Sequence, residues 1–283
     1  MKRFVIHTLW MASFVARALL ADGIPQDNMV STLAKLGPPP AGYDSRTLPG
    51  FPSVWDQYHN VNGNDSCGSC WAFASTGAMQ IGLALAYPQY AAVIPQLSTQ
   101  QLVDCVGHGG IHPDNCNGGN IGDTVTYLES NPQTSWLNMP YLGENEACPT
   151  QITDPIAKAT RGAVVEPSSE VFGKPQNPLA IENTQLAIEA YGSVVTTIYA
   201  GTAFSHYTGG IFGANPADCA TPLNSDGSPH TNHVITLVGW GTGGGQFYWI
   251  LRNSFGSGWG ENGYMWIKYG TSNVGYAANY VSY

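Results

Sequence analysis

The stretch WAFASTGAMQIGLALA, residues 71–86, constrains this chain more than any other. As a helix it is apolar on nearly every face, so other elements have to surround it. More helix is predicted in the front half. In LSTQQLVDC (97–105), Ser98 and Gln101 stand in capping-box spacing. In NTQLAIEAYG (183–192), Gly192 marks a helix stop. The back half reads as strands: VVTTIYA (194–200), VITLVGW (234–240), FYWILRN (247–253) and YMWIKY (264–269) are β-branched and aromatic, with Gly-rich turns between. Helices followed by strands predict an α+β fold of two lobes with a cleft between them. At 283 residues, 43% hydrophobic and 10% charged, the chain has the material for such a core. Its net charge of -9, with 10 Lys plus Arg, leaves no basic stripe for nucleic acid.

The chain opens MKRFVIHTLWMASFVARALLADG, with Lys2 and Arg3 before an apolar run from Phe4 to Ala16 and small residues suited to cleavage near Ala18 or Ala21. This reads as a signal peptide over 1–21. A membrane anchor is the competing reading, but the run is short and Arg17 interrupts it. Residues 22–40 then form a short propeptide or linker leading into the stiff GPPPAG (37–42), and 41–283 the main domain. A leader of this kind places the protein in the secretory pathway, secreted or held in a lysosomal or vacuolar lumen, where disulfides persist. No membrane contact is expected once the leader is removed.

Cysteines stand at 67, 70, 105, 116, 148 and 219. A zinc site needs clustered ligand pairs, and there is one C-x-x-C pair, so no metal is expected. A thioredoxin-type redox couple needs a βαβ context that the flanks lack. In an oxidising compartment four of the six would bridge. If Cys67 pairs with a distant cysteine, Cys70 is left free at the first turn of the apolar helix. A helix N-terminus favours the thiolate, and the thiolate is the nucleophile. It still needs a base, and the base needs an orienting group.

SCGSCWAF (66–73), LSTQQLVDC, NCNGGN (115–120), NHVITLVGWG (232–241) and ILRNSFGSGWGENGYMWIKYG (250–270) occur in an order and spacing that resemble the papain and cathepsin family of cysteine peptidases, over most of residues 43–283. The resemblance implies a papain-like fold, a helical lobe plus an antiparallel β-barrel-like lobe with the active-site cleft between. It implies peptide-bond hydrolysis through a Cys70 thiolate and His233 imidazolium, an acyl-enzyme intermediate, and no cofactor. Asn253 would orient the imidazole. Gly118 and Gly119 would run beside the substrate main chain. Ile121, Thr197, Val234 and Asn279 would line the pocket for the second residue before the scissile bond, with Thr197 and Asn279 making it less strictly apolar than usual. Partners would be peptide or protein substrates and protein inhibitors, and the molecule a monomer. The implied bridges are Cys67–Cys116 and Cys105–Cys148. Cys219 stands where the family often has a third bridge, but the partner position holds Val274, which leaves Cys219 unpaired.

Departures from the family pattern sharpen the expectations. The family carries a Gln six residues before the nucleophile, as an oxyanion donor beside the Cys main-chain N–H; here that position is Asn64. An insertion makes Gln57 the donor, with the shorter-armed Asn64 as the alternative. The inserted loop carries His59. In the branch resembling cathepsin X a His at this point meets the substrate's C-terminal carboxylate and makes a carboxypeptidase; an ordinary surface histidine is the plainer reading. YDSRTLPGFPSVWDQ (43–57) is similar to the start of mature cathepsin B, but the paired-His occluding loop of that branch has no counterpart. Phe255 replaces the usual Trp and should shield the Asn253–His233 contact less well. Asn64-Asp65-Ser66 is a glycosylation sequon, most simply a chance one. His108, His112, His206 and His230 read as ordinary loop histidines. The alternative function is a non-catalytic homologue that binds peptides or a protein partner; with Cys70, His233 and Asn253 all present, the enzyme reading stands first.

Overall fold

The computed structural model describes residues 36–60, 62–63, 67–107, 114–165, 178–215 and 220–283. The signal peptide, most of the linker, Asn64, His108, His112 and Cys219 therefore lie outside the described residues.

Helix α1, Cys70–Ala86, runs through the centre, with Trp71, Met79, Ile81 and Leu83 fully buried. Each large side chain so buried contributes about 1.5–3 kcal/mol. On one side α1 meets α2 (Thr99–Cys105) and α3 (Ile121–Ser130). Ser98 caps α2, its Oγ accepting from Gln101 N at 3.0 Å. The return half of the capping box is not made. The Gln101 side chain instead donates to the Tyr127 hydroxyl and Pro132 O, and accepts from Thr134 N, tying α2 to α3 and to β2 (Gln133–Thr134). β2 pairs with β3 (Pro155–Ala157). The sequence reading did not anticipate α3, which Asn120 starts by accepting from the N–H groups of Gly122 and Asp123.

On the other side of α1 lies the sheet. Its strands are β1 (Tyr43–Asp44), β4 (Arg161–Val164), β5 (Val194–Ile198), β6 (Ile211–Phe212), β7 (His233–Gly243), β8 (Gln246–Arg252), β9 (Tyr264–Lys268) and β10 (Tyr276–Ser282), in the order β4-β10-β5-β7-β8-β9-β6 with β1 on β7. Every pairing is antiparallel except β6 with β9. Helix α4, Pro178–Tyr191, covers β5, β7 and β10 and stops at Gly192, whose φ of 82 suits glycine. A short helix α5, Thr202–Ser205, follows β5.

The burial pattern separates two lobes. Trp71, Leu97, Leu102, Leu128 and Tyr141 centre the helical core. Ile198, Phe204, Leu237, Trp249 and Met265 centre the sheet core. Two bridges staple the helical lobe, Cys67–Cys116 and Cys105–Cys148. Among the described residues, no helix is long and apolar enough to cross a membrane.

Candidate active site

β7 begins at His233 and β8 ends at Arg252, and their antiparallel pairing sets Thr236 opposite Arg252. The strand pair therefore delivers the next residue, Asn253, to the imidazole. His233 Nε2 and Asn253 Oδ1 lie 2.8 Å apart. Oδ1 also accepts from Ser254 N at 2.9 Å, which identifies that end of the amide as oxygen. Nε2 is then the donor, and in the neutral ring the lone pair sits on Nδ1. Phe255 tilts against the ring at 4.9 Å between centroids, and Phe204 meets it edge-on at 5.9 Å. Burial pushes the His233 pKa down to about 4, opposed by the Asn253 hydrogen bond.

Cys70 is the first residue of α1 and the free thiol among the described residues. Its neighbour Cys67 is bridged to Cys116. Ser69, at the N-cap, does not cap the helix; its hydroxyl bonds the Tyr141 hydroxyl at 2.6 Å. The N–H groups of Cys70 and Trp71 are thus left for the sulfur, while those of Ala72 and Phe73 donate to Ser69 O. Burial pushes the Cys70 thiol up, while the main-chain N–H groups of Val234, Trp71 and Cys70 itself draw it down. Val234 follows His233 in β7, so the sulfur from the helical lobe reaches the very start of that strand. Burial alone favours a neutral thiol and a neutral imidazole. A proton passed from Sγ to Nδ1 creates both charges together and leaves the pair's net charge unchanged, which burial opposes far less than charging either group alone.

Residues 55–57 run antiparallel to 254–256. Gln57 N donates to Ser254 O at 2.8 Å, Gly256 N donates to Trp55 O at 3.2 Å, and Asp56 bridges Phe255. The Gln57 side chain is buried, and its Oε1 accepts from Ser254 Oγ at 2.7 Å. Its carbonyl end is committed, so its NH2 end is the one left for another acceptor. His59 is exposed and borders a cavity of about 530 Å³ that Asp56, Phe73, Trp136, Tyr141 and Phe255 also line.

The Gly118–Gly119 loop closes on itself through reciprocal main-chain bonds between Asn115 and Gly118. It lies flat on Trp71, whose Nε1 donates to Asn115 O at 3.2 Å, and a Cβ at Gly119 would run into the indole. Across the lobes, Ile121 begins α3 and belongs to the same buried cluster as Val234, while Thr197 pairs with Val234 between β5 and β7. Thr197 Oγ1 donates to Tyr276 O at 2.8 Å and Asn279 Nδ2 to Ala277 O at 2.9 Å, so one donor of each side chain is tied to main chain.

His206 and His230 have local partners, Thr202 O and Asn224 Oδ1, both at 2.9 Å. Among the described residues no cluster of His, Cys, Asp and Glu could hold a metal ion. Sequence reasoning missed Ser254, Tyr141 and Tyr58. Ser254 was within reach, since it follows Asn253 directly. Tyr141 carried no local signal, because its partner Ser69 lies 72 residues away.

A family model described as papain family cysteine protease matches residues 40–283. Cysteine proteinase 3 of Solanum lycopersicum is 29% identical over 219 residues, 77% of this chain and 54% of its own length. Pro-cathepsin H of Mus musculus is 29% identical over 222 residues, 77% of this chain and 59% of its own. A cathepsin L-like proteinase of Phaedon cochleariae is 30% identical over 205 residues, 72% of this chain and 55% of its own. The chain thus spans little more than half the length of these curated relatives. Among solved structures, digestive procathepsin L 3 of the Tenebrio molitor larval midgut aligns with a TM-score of 0.69 and 26% identity, over 98% of this chain and 79% of that one. Procathepsin L2 proteinase from the same tissue aligns with a TM-score of 0.68 and 28% identity, over 86% and 68%.

Proposed function

Because this chain belongs to the papain family of cysteine proteases, we propose that it hydrolyses peptide bonds as a cysteine peptidase, with Cys70 as nucleophile and His233 as its proton partner. One observation carries the reading: an unbridged thiol at the uncapped start of α1, met by the N–H of Val234, the residue next to an imidazole that Asn253 holds by Nε2. In this mechanism the Sγ proton passes to Nδ1 and the thiolate attacks the scissile carbonyl carbon. The charge that develops on the carbonyl oxygen is received by the Cys70 main-chain N–H and the Gln57 amide. His233 returns the proton to the departing amine, leaving an acyl-enzyme thioester. It then takes a proton from water as the water attacks, and Cys70 is released with the new carboxylate. The substrate main chain runs beside Gly118 and Gly119, and Ile121, Thr197, Val234 and Asn279 receive the second residue before the scissile bond.

Endopeptidase action is the favoured form. Asp56 shares the cavity rim with His59, and its carboxylate opposes a substrate's terminal carboxylate there. Digesting one peptide with a free and one with an amidated C-terminus decides this: equal cleavage fits an endopeptidase, and loss on amidation restores the carboxypeptidase reading for His59.

The leader at 1–21, the propeptide or linker at 22–40 and the two bridges support a secretory route to a lumen or the outside. Peptides and proteins are the proposed substrates, protein inhibitors the further partners, and a monomer the working state. An epoxide inhibitor in reducing acid buffer, followed by peptide mapping, tests the chemistry. Labelling at Cys70, lost in Cys70→Ser, is the expected result. An unlabelled folded protein would point instead to a peptide-binding homologue.

A further inference from the structure

Phe255 is the ring that covers the His233–Asn253 contact, and by itself it is only partly buried. Its inner neighbours are Phe204 at 6.4 Å and Trp259 at 5.7 Å, both edge-on. On another side stands Tyr58, from the inserted loop, with its ring 5.3 Å from that of Phe255 at 42°. Tyr58 is 46% exposed, and this ring contact ties it to the cover of the imidazole. Its position is not left to a loose loop. Tyr58 N donates to Asp56 Oδ1 at 2.9 Å, and Asp56 bridges the Phe255 main chain. Tyr58, Phe255 and His233 thus form a column of three rings, spaced 5.3 and 4.9 Å.

We propose that Tyr58 is a positioning residue which, acting through Phe255, holds the His233 ring in place and keeps water from its bond to Asn253. The inserted loop in this way supplies the ring area lost where a Phe stands in the shielding position. The inference rests on the peptidase reading for its kinetic meaning, but its geometry stands apart from that reading. Around His233, Asn253, Phe204 and Phe255 do not titrate, and Cys70 approaches from the helical lobe as the titratable neighbour. Asp56 and Tyr58 lie one ring further out, and no charged side chain acts on the imidazole from them.

The test compares the full chain with its Tyr58→Ala and Tyr58→Phe variants, reading the titration of the His233 imidazole by NMR. Tyr58 is half exposed, so an unchanged melting temperature is the check on folding. In Tyr58→Ala, water reaches the charged form of the ring, and the midpoint should rise from about 4 toward the ordinary imidazole range. Alongside it kcat should fall about tenfold with KM little changed. Tyr58→Phe keeps the ring and should match the wild type in both. An unmoved His233 titration in Tyr58→Ala, or a Tyr58→Phe variant that behaves like Tyr58→Ala, overturns the proposal. The NMR titration reads the column whether or not the protein cleaves peptides, so it separates failure of this inference from failure of the peptidase reading.

Discussion

His233 and Cys70 are pushed in opposite directions by the same burial, the imidazole down and the thiol up. In the proposed mechanism the pair holds one proton between those two limits, passed between Sγ and Nδ1. Below the lower limit His233 takes a second proton from solvent and can no longer accept the one from Cys70. The kcat/KM profile should therefore lose activity as pH falls through about 4 and stay flat well above the ordinary imidazole range. Stopped assays across pH 3–9 measure this, and an acid limb near about 6.5 would contradict it. Replacing Asn253 by Ala removes the hydrogen bond that raises the His233 pKa. The acid limb should move lower still, while kcat falls by roughly 10- to 100-fold as the ring loses its orientation. Gln57→Ala should lower kcat by about a hundredfold or more with epoxide labelling of Cys70 retained, because the oxyanion loses a donor and the nucleophile does not.

At the scale of elements, α1 and the end of β8 are locked by a buried cation. The Arg252 guanidinium donates to Ser53 O, interacts with the Tyr264 phenol and lies over Trp55 at 5.7 Å. It passes directly over Gly77 in α1, where a Cβ would run into Nη1. Gly77→Ala should cost about 1–3 kcal/mol in urea unfolding, since the guanidinium is pinned from several sides and cannot swing away freely. Elements with a strong local signal were legible from sequence. The reading of 71–86 falls one residue short of Cys70–Ala86, and the strand at 247–253 differs by one residue at each end from Gln246–Arg252. α3 and β10 were not read. In IGDTVTYLES, Ile121, Val125 and Leu128 stand at helical spacing and are all buried, a signal that was present and passed over, whereas YAANYVS becomes a strand because β4 and β5 flank it. A residue flanked on both sides by partners takes its state from them rather than from its own propensity.

Across the whole molecule, the two lobes meet over α1 and each brings half of the site. Both bridges lie in the helical lobe, which has less sheet to hold it, and they close loops with sequence separations of 49 and 43 residues. The double variant Cys105→Ala/Cys148→Ala should lose about 2–5 kcal/mol, visible as a lower denaturant midpoint, with active-site labelling intact below the transition. Removing Cys67 is a different matter, because its loss frees Cys116 to compete for oxidation with Cys70. What the chain declares locally is the apolar central helix, the caps and stops, the strand-forming runs, and the residue types from which a thiol, an imidazole and an amide can be assembled. Periodicity, capping and turn chemistry act over a few residues, so they survive in the one-dimensional order. The meeting of Gln57 with Ser254, 197 residues apart, and the ring column from Tyr58 to His233 were decided only by the folded chain. An inserted loop has no repeat to announce its register; the strand-like pairing of 55–57 with 254–256 sets it, and that pairing exists only once the two lobes have packed.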